Sequence, residues 1–86
     1  METLTPTEYY DAFRERLKAA RLARGLSQSQ MATLLGMSTA SYKKYEVRDK
    51  FPLHFIERLA LATDRPIEFW ITGKNIRQLV RRPAER

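Results

Sequence analysis

The sequence predicts an all-α domain of five short helices followed by a short additional C-terminal helix. Apolar residues recur at spacings of three and four, and capping residues and glycines divide the chain into short segments. Nowhere do apolar and polar residues alternate long enough to predict a strand. With 86 residues and no internal repeat, we expect one globular unit in which short helices joined by tight turns cross one another.

Two capping boxes mark the starts of the first two helices. Residues 5–8 (Thr-Pro-Thr-Glu) place a proline at the first helical position, and the helix that follows should end at Gly25. Residues 27–30 (Ser-Gln-Ser-Gln) begin a second helix, which should stop at Gly36. The apolar residues that recur along these two helices are Tyr9 or Tyr10, Phe13, Leu17, Ala20, Met31, Leu34 and Leu35.

Ser38, Pro52 and Pro66 mark the remaining helices. Ser38 caps a third helix, residues 47–51 form a polar connector, Pro52 opens a fourth helix and Pro66 opens a fifth. We divide the chain into an N-terminal helical extension (1–13), a central domain (14–74) and a short C-terminal helix with a basic tail (75–86). The apolar residues assigned to helices three to five are Tyr42, Tyr45, Phe55, Ile56, Leu59, Ala60, Ile67, Trp70 and Ile71.

The charge balance favours a polyanionic partner. The chain has 16 basic and 10 acidic residues and a net charge of +6, which suits nucleic acid or an acidic membrane surface. The stretch from Arg14 to Lys50 is the most basic, with acidic residues only at Glu15, Glu46 and Asp49. No apolar run approaches the roughly 18 residues of a membrane-spanning helix, and the N-terminus does not resemble a signal peptide. We therefore expect a cytoplasmic protein without a membrane partner.

The composition also argues against catalysis. Cysteine is absent, which excludes disulfides, cysteine-based zinc sites and a thiol nucleophile. His54 is the only histidine, and there is neither a glycine-rich phosphate loop nor an acidic cluster with metal-ligand spacing. We expect no enzyme activity, no metal and no cofactor.

Residues 26–46 have the spacing of a helix-turn-helix. Such a unit needs a small residue where its helices cross, and Ala32 is suitable. It needs a left-handed turn residue four positions later, which Gly36 provides, and an apolar residue just after the turn, which Met37 provides. Tyr42 lies five residues further on, where a buried side chain is required. All four positions together are a fairly specific signal.

This region resembles the phage repressor and Cro-like family of helix-turn-helix domains. The matching positions are Arg21, residues 25–28, Ala32, residues 35–38, 45–46, 59–60 and 67–73. The resemblance covers about residues 17–74. It implies five helices, a recognition helix that enters the major groove, and usually a symmetric homodimer on a palindromic double-stranded DNA operator.

The same resemblance assigns the residues that contact DNA. The recognition helix would begin after Ser38, and the family's base-reading positions correspond to Thr39, Ala40 and Lys44. Lysine donates to guanine O6 and N7, threonine bonds a base edge, and an alanine methyl contacts thymine. Gln28 resembles the family glutamine that meets the DNA backbone. From their positions on or after the recognition helix, we also expect Ser41 and Lys43 to contact phosphate, and Arg48 and Lys50 to reach phosphate or an adjacent minor groove.

Family positions also imply a buried ion pair and show where this chain departs from the pattern. Arg21 and Glu46 occupy the positions of an ion pair between the first helix and the end of the third. Val47 and Arg48 stand where relatives often have Asn-Gly. Asp64 stands where glycine is usual, and aspartate tolerates the left-handed region better than most residues.

Ile76, Leu79 and Val80 form a last apolar stripe at i, i+3 and i+4. The stripe is either a homodimer seam or part of the domain's own core. We predict the seam, because the helix-turn-helix face is needed for DNA and the other helices are needed for the core.

Together these features predict a sequence-specific DNA-binding transcription regulator, in the first place a repressor. Two alternatives stay open: a module that uses the same fold to bind a protein, and the antitoxin of a toxin–antitoxin pair. Because 86 residues leave little room for a separate sensor domain, regulation is expected from protein concentration, a partner or competition.

Overall fold

The computed structural model describes residues 4–74 and contains five α-helices in this part of the chain. They are α1 (Pro6–Ala23), α2 (Gln28–Leu35), α3 (Thr39–Val47), α4 (Ile56–Thr63) and α5 (Ile67–Thr72), with a short 3-10 helix at Leu53–Phe55. No strand occurs in the described range. The predicted all-α, five-helix fold is therefore confirmed, whereas the additional C-terminal helix falls in residues 75–86, outside the described part.

Local hydrogen bonds begin the first three helices as the sequence predicts. Thr5 Oγ1 accepts from the Glu8 main-chain N–H at 3.1 Å, and the Glu8 carboxylate accepts from the Thr5 N–H at 2.9 Å. The second capping box repeats this exchange between Ser27 and Gln30 at 3.0 and 2.8 Å. Ser38 Oγ accepts from the N–H three residues later in the same way. These bonds satisfy N–H groups that have no partner within the helix.

The core lies where the five helices meet, and α1 is one unbroken helix that contributes residues from Phe13 to Ala20 to it. The boundary that the sequence suggested after residue 13 falls inside this helix. Phe13 is buried in the common core, and the Tyr9 hydroxyl donates to the carbonyl of Ile71 at the end of α5. The side chains with the least exposure are Leu17, Met31, Leu35, Tyr42, Leu59 and Trp70.

The segment before α4 differs from the prediction. Residues 47–51 were predicted as a polar connector, but Phe51 is only 8% exposed and its ring lies 5.5 Å from those of both Phe13 and Tyr45. Pro52 caps a 3-10 turn at Leu53–Phe55 that continues directly into α4, so the α-helix itself begins at Ile56. The residue just before Pro52 therefore belongs to the core and not to a polar connector.

Three arginine side chains donate to main-chain carbonyls at or just after the ends of helices that are distant from them in sequence. Arg58 on α4 donates to the Leu35 carbonyl at the end of α2 at 3.2 Å. Arg16 donates to the Trp70 carbonyl in α5 at 3.1 Å. Arg14 donates to main-chain carbonyls just after α3, at 3.1 and 3.3 Å. The last carbonyls of a helix lack intrahelical partners and carry partial negative charge, so a cation is well placed there.

Candidate nucleic-acid interface

Helices α2 and α3 form the helix-turn-helix, and its turn has the predicted geometry. Gly36 adopts the left-handed conformation, with φ of 79° and ψ of 32°. The Met37 N–H donates to the Ala32 carbonyl at 3.0 Å, which closes the turn. Ala32 and Tyr42 are buried, and Met37 packs against the core. The four positions that predicted the motif therefore all have the expected roles.

The carboxylate of Glu46 connects α3 to α1 and α2. Arg21 binds it through two bonds, Nε to Oε2 at 2.7 Å and Nη2 to Oε1 at 3.2 Å, and also donates to the Leu26 carbonyl at 2.8 Å. Gln28 Nε2 donates to Oε1 at 3.1 Å, and the Tyr42 hydroxyl donates to Oε2. The side chains of Arg21 and Glu46 are 9% and 3% exposed. The expected buried ion pair is confirmed.

Hydrogen bonding keeps this cluster charged despite its burial. Burial alone would raise the pKa of Glu46, but the bonds from its three neighbours outweigh that effect and hold the pKa below its usual value. The hydrogen bond to Glu46 raises the pKa of Arg21. Burial raises the pKa of Tyr42 far above that of an ordinary tyrosine, so its hydroxyl keeps its proton. The resulting network fixes the orientation of α3 on the rest of the domain.

The face of α3 opposite this network points to solvent. Among the residues assigned to base reading, Ala40 and Lys44 are exposed and Thr39 is partly buried at the first position of the helix. Lys43 is also exposed, whereas Tyr42 and Tyr45 point toward the core. Ala40 and Lys44 thus share the exposed side of α3, whereas Thr39, seven residues before Glu46, lies nearer the side of the ion pair.

The residues assigned to the DNA backbone lie around this face in different environments. Gln28 is the first residue of α2, and its side-chain amide is bonded to Glu46. The Ser41 hydroxyl accepts from Ser38 Oγ at 3.0 Å. Arg48 is exposed and lies 3.5 Å from the carboxylate of the next residue, and the Lys50 ammonium lies 5.4 Å from the centre of a tyrosine ring on α1.

The basic stretch that suggested a polyanion partner contains arginines with internal roles. Arg14, Arg16 and Arg21 donate to main-chain carbonyls, and Arg21 also binds the buried carboxylate. Burial lowers the pKa of Arg16, whose side chain lies over two aromatic rings of α1. Net charge from the sequence therefore overstates the number of basic side chains that are free to meet an anionic partner.

Sequence reasoning assigned no role to Val47, which lies on the same exposed side of α3. Its side chain is 71% exposed and borders a surface depression with Lys43, Lys44 and Arg48. The available signal was its spacing of seven residues from Ala40, which places the two on one helix face. The predicted seam residues, Ile76, Leu79 and Val80, lie outside the described residues.

Two features are absent from residues 4–74. No helix within residues 4–74 is both long and apolar enough to cross a membrane. The described part also contains no group of three or more histidine, cysteine, aspartate or glutamate side chains placed to hold a metal ion.

Comparison with known families identifies the class. Residues 17–70, more than half of the chain, match the Helix-turn-helix family, and the chain belongs to this family. Its members are Cro/C1-type DNA-binding transcription regulators and are not normally enzymes. Comparison with curated protein sequences gave no match. The class predicted from residues 25–46 and their spacing is thereby confirmed.

Proposed function

We propose that this protein is a cytoplasmic repressor that binds a palindromic operator as a homodimer, with α3 of each copy in the major groove. The observation that carries the proposal is the exposed side of α3, which presents Ala40, Lys43 and Lys44 while the buried Arg21–Glu46 pair holds the opposite side. A major groove about 12 Å wide admits one α-helix, and the donors on that helix then face base edges.

Base reading is assigned to Thr39, Ala40 and Lys44. Lys44 donates to O6 and N7 of a guanine, Thr39 bonds a base edge near the start of the helix, and the Ala40 methyl packs on a thymine methyl. The N-terminal residues of a recognition helix contact base edges, which agrees with the positions of Thr39 and Ala40 at the start of α3.

Phosphate contacts are assigned to residues on both sides of α3. Lys43 and Arg48 are exposed cations beside the base-reading face. Gln28 lies at the N-terminus of α2, where main-chain N–H groups favour an anion. Ser41 and Lys50 complete the proposed set, which would fix the register on the duplex without reading sequence.

Assembly is assigned to Ile76, Leu79 and Val80. One recognition helix reads only a few base pairs and buries little surface, so a single copy has limited specificity. Two copies bound to a palindrome, with half-site centres about 34 Å apart, supply the additional specificity. A dimer formed through residues after α5 leaves the face of α3 free for DNA.

Selection of bound duplexes from a random library tests the function directly. We expect one enriched palindromic motif with half-sites one helical turn apart. Lys44→Ala should weaken binding to the selected site by about 1–3 kcal/mol and change binding to random DNA less. Lys18→Ala, which removes an exposed lysine of α1, is the matched control and should lose little affinity for either selected or random DNA.

The outcomes separate the candidate functions. Equal losses by Lys44→Ala on selected and random DNA would mean that Lys44 contacts phosphate only. If no sequence is enriched and competitor DNA abolishes the gel shift at moderate salt, the fold serves a protein partner or an antitoxin complex instead.

A further inference from the structure

The exposed side of α3 carries one large apolar side chain among cations. Val47 is the last residue of α3 and is 71% exposed. Isolated exposed apolar residues are ordinary on protein surfaces, so exposure by itself carries no inference. The neighbours and position of Val47 are more informative.

Val47 lies in line with two of the residues assigned to base reading. Ala40, Lys44 and Val47 are at positions i, i+4 and i+7, which share one face of an α-helix, and all three are exposed. At 1.5 Å per residue, Ala40 and Val47 are about 10.5 Å apart along the helix axis, with Lys44 between them.

The immediate surroundings of Val47 combine apolar surface with positive charge. Val47 lines a shallow, mostly apolar depression together with Lys43, Lys44 and Arg48. Cations at its border suit phosphates, which repeat along both edges of the groove. The apolar lining suits the one apolar group on base edges in the major groove, the C5 methyl of thymine.

We propose that Val47 is a specificity-determining residue that contacts a thymine methyl group, on the side of Lys44 away from Ala40. This role rests on the proposed function, since it requires α3 to lie in the major groove. With a rise of about 3.4 Å per base pair, a helix that follows the groove places this thymine about three base pairs from the position facing Ala40.

Deoxyuridine provides a direct test, because it is thymidine without the C5 methyl. The full chain is first used to select its preferred site, and each thymine of one half-site is then replaced by deoxyuridine in turn. Affinities are measured for the wild-type protein and Val47→Ala. Leu61→Ala, on α4, is the control, since Leu61 is 79% exposed and lies outside the DNA-facing helix.

At one position, we expect deoxyuridine to weaken wild-type binding about fourfold, which corresponds to the roughly 0.8 kcal/mol of one buried methyl group. Val47→Ala should bind the thymine-containing site less tightly than the wild type does. Replacing that thymine by deoxyuridine should then weaken the binding of the variant only slightly further. Leu61→Ala should behave as the wild type. The contact between Val47 and the thymine methyl is therefore recognised by coupling between residue 47 and one methyl group, not by weaker binding alone.

Other results overturn the role of Val47. A selected half-site without thymine, or deoxyuridine losses that are the same in wild type and Val47→Ala at every position, would mean that Val47 reads no methyl group. Specific binding without this coupling leaves the proposed function intact. Failure to enrich any sequence refutes the proposed function itself, and the role of Val47 with it.

Discussion

Replacing Arg21 by methionine tests how α3 is held on the domain. Arg21→Met keeps much of the side-chain length but removes the guanidinium that makes two hydrogen bonds to Glu46 and one to the Leu26 carbonyl. The Glu46 side chain is 3% exposed and so gains almost no water in exchange. Its carboxylate would keep only the donors from Gln28 and Tyr42.

The expected loss is large for a domain of this size. Removing one partner of a buried ion pair costs about 3–5 kcal/mol, because the remaining charge is uncompensated. Domains have a total stability of about 5–15 kcal/mol. Each kcal/mol lowers the melting temperature of a domain of 60–100 residues by about 4–8 °C, so we expect a decrease of at least about 12 °C.

Thermal unfolding followed by circular dichroism measures the effect, with two comparison variants. Arg48→Met is the matched control, since Arg48 is exposed and its ion pair with Asp49 lies at the surface, where such pairs contribute about 0–1 kcal/mol. Combining Arg21→Met with Glu46→Gln should recover part of the loss, because the stranded charge is then absent. Unchanged melting of Arg21→Met together with lost DNA binding would refute the structural role and make Arg21 a DNA contact.

Three further predictions concern acid sensitivity, the turn and assembly. Folding lowers the pKa of Glu46, so its contribution to stability is present above the ordinary glutamate pKa of about 4.3 and is lost as the pH falls below that value. In urea unfolding, the stability of Glu46→Gln should therefore depend less on pH in that range than the stability of the wild-type protein. Gly36→Ala should destabilise the domain by about 1 kcal/mol more than Gly25→Ala. Both glycines have positive φ, but only at Gly36 would a Cβ come within 2.3 Å of Arg58 Nη1 and displace a hydrogen-bonded guanidinium. Equal losses of stability in the two variants would mean that this arginine moves aside freely. Leu79→Asp should leave the monomer folded and make binding to a full palindrome non-cooperative. Two results would contradict a homodimer seam at this residue. One is a wild-type protein that stays monomeric at high concentration and binds one chain per DNA site, and the other is unfolding of the variant.

The internal arginines change how the charge of this protein is interpreted. A sequence count treats all basic residues as available to an anionic partner. Arg14, Arg16 and Arg58 instead donate to carbonyls at or near the ends of helices. The proposed DNA surface depends on fewer cations, chiefly Lys43, Lys44 and Arg48, so its salt dependence should reflect those residues and not the net charge of +6.

The sequence by itself determined the features that depend on neighbouring residues. Capping boxes act between residues three apart, and a left-handed turn such as that at Gly36 favours glycine. The register of the helix-turn-helix followed from these local requirements together with Ala32, Met37 and Tyr42. Asp64, with φ of 56°, occupies the left-handed position at which the family pattern has glycine.

Only the tertiary structure decided the features that depend on residues distant in the chain. Phe51 is followed by proline in a charged stretch, and nothing nearby indicates that α1 and α3 leave an apolar site for its ring. Gln28 was assigned to DNA from its position at a helix start, yet its amide reaches Glu46, 18 residues away. Local patterns predict where a helix begins and turns, whereas the partner of a long side chain depends on which helices cross, and that is settled only when the whole core packs.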